Sequence, residues 1–312
     1  MFFAYDPLEF NGTLFAALDT YKAEMLASAD VLRQRVGITR ALGDVVTGDV
    51  IARGRAIIQS LDVRNDNPHY PPIFLTFLQY PEWIGPTDRI LLRLKHALSS
   101  KPKIYRHFVG YVRDQPIGGL FELNVFALLD DAFPNSVPQC KLPGSSKRTD
   151  VQISVDGVVL YVEATSITEG RYFTQLGEQA RAAGQRFWVA PGPGPAHAAS
   201  RIVKKIAEEL SQTAPEAPNI LCVSFFDAMP VPPARRWAFD DAWIGGKTYG
   251  TLPDGTRLDL SAISRVDSIF EFGRDRLIAV HVNPHCDPRC AVSSSVRGKI
   301  QQALGVSKLM IR

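Results

Sequence analysis

Between residues 148 and 166 the sequence RTDVQISVDGVVLYVEATS alternates apolar and polar positions, a period of two that predicts a pair of β-strands. Asp156-Gly157 in its middle is a two-residue turn signal, so the strands should form a hairpin whose facing residues have numbers summing to 313. Val151, Ile153, Val155, Val158, Leu160 and Val162 then share one face, predicted to be core. On the other face Asp150 and Glu163 stand directly opposite each other, with Cβ atoms roughly 5 Å apart, an arrangement that destabilises a sheet when both carry charge. A slip of one residue would turn the apolar set outward, so the pattern itself holds the carboxylates together. Their repulsion can be relieved by a shared proton or by a divalent cation with oxygen ligands, and the cation is the favoured expectation.

Helical spacing of apolar residues predicts helices over 11–35, 38–60 and 86–99, broken by NDNPHYPP at 65–72, so residues 1–112 are expected to form a helical N-terminal domain. Gly118-Gly119 then leads into LFELNVFALLDDAF, apolar almost all round and predicted as a buried helix carrying Glu122. After the hairpin, a polar segment (168–185) reads as a helix or a lid and 189–200 as a loop. Ser200 is placed to cap RIVKKIAEELSQ, with Ile202, Ile206 and Leu210 on one face and Arg201, Lys205, Glu209 and Gln212 on another. Strands are predicted at 219–226, 265–272 and 276–283, separated by a loop-rich insertion at 227–264. Residues 113–312 are thus expected to be an α/β domain, a mixed sheet flanked by helices.

Composition narrows the classes. A chain of 312 residues, 46% hydrophobic, can bury a sizeable core, and no run of about 18 apolar residues suggests a membrane span. MFFAYDPLEF has no basic start and does not read as a secretory signal, and four cysteines at 140, 222, 286 and 290 fit a reducing, cytoplasmic setting. His281, His285, Cys286 and Cys290 cluster, but their spacing is irregular for zinc, which is set aside. A net charge of +3 permits a nucleic-acid partner without requiring one. RLKHALSSKPKIYRHF at 93–108 interleaves basic and aromatic residues; it is read first as a solvated helix followed by a linker, and second as a surface that tracks phosphates. Trp237, Trp243 and Tyr249 in the insertion are read first as its small core and second as base-stacking groups. No phosphate loop, dinucleotide fingerprint or nucleophile elbow is present.

Glu122 on a helix, Asp150 on a strand, Glu163-Ala164-Thr165 on its antiparallel neighbour, then a helix and another strand form an order that resembles the PD-(D/E)xK nuclease superfamily, the restriction-endonuclease-like fold, over about residues 115–226. The resemblance implies Mg²⁺ (or Mn²⁺) held by Asp150, Glu163 and the Ala164 carbonyl, and hydrolysis of DNA or RNA by an enzyme that leaves a homodimer open. Thr165 departs from the pattern, since it stands where the family places its lysine and a hydroxyl cannot supply a cation. Lys205 is the first candidate to replace it, Lys204 the second, and Arg148, opposite Thr165 in the hairpin register, the third. Each residue has a duller reading: Glu122 at the rim of its helix, Asp150 starting a strand after a turn, Glu163 paired with Arg148 or Lys147 at the surface, and Lys205 in an ordinary i,i+4 pair with Glu209. The alternative to an enzyme is a catalytically silent relative that binds nucleic acid or protein.

Overall fold

The computed structural model describes residues 10–60, 72–167, 204–224, 249–251, 255, 257–273 and 276–305. The polar segment and loop read at 168–185 and 189–200, the Ser200 cap, Trp237 and Trp243 lie outside these residues. Two compact units divide the chain, residues 1–119 and 120–312, where the sequence suggested a division between 112 and 113.

The first unit is helical: α1 (Phe10–Gly37), α2 (Gly48–Gln59), α3 (Pro72–Gln79), α4 (Ile84–Ala97) and α5 (Pro102–Asp114). The helix predicted over 38–60 begins only at Gly48, where the Thr47 side chain accepts from the Val50 N–H. Ahead of it, Leu42–Asp44 forms a 3-10 turn because Asp88, on α4, accepts the N–H groups of Arg40, Ala41 and Leu42. That partner is more than 40 residues away, so local spacing could not reveal the break. α5 replaces the predicted linker after residue 100: Pro102 suits a first helical turn, and Tyr105, Phe108, Val109 and Val112 bury one stripe. Phe74, Phe77, Trp83 and Leu91 centre the core, and Gly54 admits the Phe74 ring, where an added Cβ would sit only 2.5 Å from its carbons.

The second unit is α/β. It holds most of α6 (Pro116–Ala132), then β1 (Val137–Lys141), β2 (Arg148–Val155), β3 (Val158–Ser166), helix α7 (residues 204–210), β4 (Asn219–Ser224), the short pair β5 (Tyr249–Thr251) and β6 (Arg257–Asp259), β7 (Val266–Phe272), β8 (Leu277–Val282) and α8 (Ser294–Gly305). Six strands form one mixed sheet in the order β1-β2-β3-β4-β7-β8, with β3, β4 and β7 parallel to one another and the outer pairs antiparallel. β5 and β6 lie inside the predicted loop-rich insertion. β1 was not foreseen, because VPQCK has neither clean alternation nor a β-branched run.

The hairpin register is the predicted one, from Val155↔Val158 to Val151↔Val162, closed by a turn with φ of 52° at Asp156 and 81° at Gly157. Positive φ at both turn residues matches the twist of the flanking strands. Val158 departs from the predicted core: next to the turn, at the hairpin tip, it is exposed. Beneath α7, Ile206 and Leu210 pack with Leu221, Val223, Val266 and Ile269, while Phe121 of α6 meets Phe272 edge-on with ring centroids 5.2 Å apart. α8 is tied down by Arg297, which donates two hydrogen bonds to the buried carboxylate of Asp267 at 2.7 and 2.9 Å.

Candidate metal centre

Glu163 pairs in register with Leu221, which pairs with Ile269, so its side chain shares the sheet face that α7 covers. Only 2% exposed, it stands against Asp150, and the two carboxyl groups share a hydrogen bond. Burial, then the charges of Asp150 and Glu209, hold the Glu163 pKa well above the ordinary carboxylate range. Burial also raises Asp150, to about 6, less far because the Ala164 N–H, Glu163 and the Gln139 amide all donate to it. The Ala164 bond is 2.8 Å and the Gln139 bond 3.1 Å. One oxygen, Oε1 of Glu163, is buried with no hydrogen-bond partner among the described residues.

The backbone makes room for this pair. Both ladders skip residue 150: β1 pairs with β2 at Pro138↔Val151 and Cys140↔Thr149, and β2 pairs with β3 no further than Val151↔Val162. Gln139 adopts φ 50°, a left-handed conformation rare for this residue type, and turns its amide to Asp150. Because β2 parts from β3 here, Arg148 does not pair with Thr165 as predicted; its guanidinium donates to the Gln139 carbonyl at 2.7 Å. A strand's N–H and C=O point to the same side at one residue, so the Ala164 carbonyl faces the Asp150 side along with its N–H.

α7 brings a third carboxylate. Glu209, 6% exposed, accepts from Gln212 at 2.9 Å and pairs with Lys205 at 2.8 Å, and its charge is felt by both Asp150 and Glu163. Burial works against the Lys205 charge, but Glu209 and Glu208 outweigh it and raise the Lys205 pKa. The i,i+4 pair foreseen as the duller reading of Lys205 is therefore present, with Glu209 buried and Lys205 half-buried. Lys204 is exposed, and Thr165 is 6% exposed on the same face as Glu163. Glu122 is half-buried in α6 and is not among the leading influences on the pair.

Among the described residues, no three His, Cys, Asp or Glu side chains are arranged as a ready-made metal site. His281 instead bonds Glu271 at 2.9 Å. Asp150, Glu163 and the Ala164 carbonyl nevertheless fit a hard cation: the donors are all oxygen, and one of them is buried and orphaned. Ions of this kind keep several waters and need few protein ligands. A cation there calls for the charged form of Glu163, which burial disfavours.

Comparison of the chain with protein-family models, with curated proteins and with solved structures produced no match.

Proposed function

We propose that this chain is a divalent-metal-dependent phosphodiesterase acting on DNA or RNA, built on a restriction-endonuclease-like core. The observation that carries the reading is the pairing of half-buried Asp150 with buried Glu163 at a point where both strand ladders open, with one Glu163 oxygen unsatisfied among the described residues. The succession of α6, an antiparallel three-strand run, α7 and the parallel strand β4 supports it. Asp150, Glu163 and Ala164 are the ligands for Mg²⁺ or Mn²⁺, which when bound lowers the pKa of a water and offsets charge on the phosphate. Gln139 and the Ala164 N–H orient Asp150. Lys205, paired with Glu209, is the candidate to supply the cation that Thr165 lacks.

Incubation of the purified chain with plasmid DNA or a structured RNA and Mg²⁺ or Mn²⁺ tests this reading. Cleavage is expected, with loss of at least a hundredfold on Asp150→Ala and a parallel loss of Mn²⁺ binding by calorimetry. No cleavage of either substrate, together with no Mn²⁺ binding, would sink it. Thr165 and the engagement of Lys205 with two glutamates support a second reading, a silent relative that binds without cutting. Under it, the wild type binds Mn²⁺ but does not cleave, and Thr165→Lys creates activity.

A further inference from the structure

From Arg89 to Arg113 the sequence holds seven Lys and Arg and no acidic residue, so the net charge of +3 leaves −4 for the rest of the chain. This stretch is most of α4 and nearly all of α5. Some of the charge is used internally: Lys95 pairs with Asp44 at 2.8 Å, and Arg113 donates to the backbone carbonyls of Val45 and Asp44. Lys101, Lys103 and Arg106 are exposed and have no ion-pair partner among the described residues. With Tyr105, Phe108, Val109 and Val112 buried on one side of α5, helical spacing places Lys103, Arg106, His107 and Gly110 together on the opposite side. Asp114 is the acidic residue of that side, at its far end.

Two features of this face cost the helix stability and are repaid by nothing among the described residues. Lys101 and Lys103 flank the first turn of α5, where the helix dipole favours negative charge, and no acid or side-chain cap offsets them. Gly110 lies in the helix interior although a Cβ there would meet nothing within 4 Å, so neither packing nor backbone geometry asks for glycine. Both make sense if an anionic chain lies along α5, neutralised by the cations and approaching the helix backbone closely at Gly110.

We infer that the exposed face of α5, with Lys101, Lys103, Arg106 and Gly110, is a docking surface for the phosphate backbone of double-stranded nucleic acid. This inference rests on the proposed phosphodiesterase reading for its choice of polyanion; an acidic membrane is the rival occupant. Residues 93–108 read from sequence as a solvated helix and a linker, and only the positions of α5's buried stripe and of Gly110 reverse that preference.

The test is anisotropy binding of the full chain to a fluorescein-labelled 30-base-pair duplex in EDTA, over a series of KCl concentrations. The Lys101→Ala/Lys103→Ala/Arg106→Ala variant is expected to lose at least tenfold in affinity and about two to three units of the slope of log K against log salt. Gly110→Ala is expected to raise Tm by about 2 °C and still bind more weakly, which separates a surface effect from misfolding. Unchanged affinity and slope in the triple variant would overturn the inference, as would wild-type binding to phosphatidylserine vesicles but not to the duplex. Cleavage and Mn²⁺ titration of the same proteins keep the two claims apart: duplex binding without cleavage or Mn²⁺ uptake retains the surface and removes the enzyme, whereas cleavage with unaltered binding in the triple variant does the reverse.

Discussion

Gln139, at φ 50°, occupies a conformation that costs a non-glycine residue roughly 1–2 kcal/mol, and it does so beside Asp150, where the strand ladders open. Strain next to two carboxyl groups with raised pKa values is what a site that trades stability for chemistry looks like. Glu163 is the clearest case, since an ionisable group 2% exposed with an orphaned oxygen is poorly suited to stability alone. Glu163→Gln is therefore expected to abolish metal-dependent activity while raising stability at pH 7.5 by about 1–3 kcal/mol, read by urea denaturation in EDTA. A loss of stability on this substitution would mean that the pair serves the fold instead.

At the scale of elements, the hairpin and α8 carry separable weight. Gly157 adopts φ 81° in a turn whose other residue is also left-handed, so Gly157→Ala is expected to cost about 1–2 kcal/mol with Asp150 and Glu163 untouched. Arg297 and Asp267 form a different kind of contact. Asp267 is 1% exposed and depends on Arg297 for two hydrogen bonds, so Arg297→Ala should cost about 3–5 kcal/mol by leaving a buried charge unpaired. A drop of under 1 kcal/mol in chemical denaturation would show that water replaces the guanidinium. Lys299, on the same helix, pairs with Asp156 at 2.6 Å, but both are half-exposed and the pair should contribute little.

For the whole molecule, the pair makes stability depend on pH. Asp150 titrates near 6 in the folded chain against about 4 when unfolded, and Glu163 is raised further in the same direction. The folded state thus holds protons that the unfolded state has released, so this contribution is complete below about pH 4 and is lost as pH rises through 6. For Asp150 alone the loss amounts to about 3 kcal/mol. Thermal denaturation in EDTA is expected to show Tm falling between pH 5 and 8, with Mn²⁺ restoring it most at the alkaline end, where the ligands are already deprotonated. A Tm that is flat across this range, or that rises, would contradict the raised pKa values. No described helix is long and apolar enough to cross a membrane.

Sequence alone fixed the parts of the protein governed by short-range rules. The Asp156-Gly157 turn and the alternation around it set the register that brings Asp150 to Glu163, because a two-residue turn leaves only one pairing that keeps Val151, Ile153, Val155, Leu160 and Val162 inside. The strands near 219 and 277 were readable as short, mainly apolar runs, and the one near 266 by its β-branched and aromatic residues. Tertiary structure decided what those rules do not reach. That the Glu209 charge reaches the carboxylate pair depends on how α7 lies on the sheet, and that β2 parts from β3 at Asp150 depends on Gln139 from a strand the pattern did not reveal. Whether two facing carboxyl groups carry charge or share a proton is decided by burial, and burial is a property of the packed molecule.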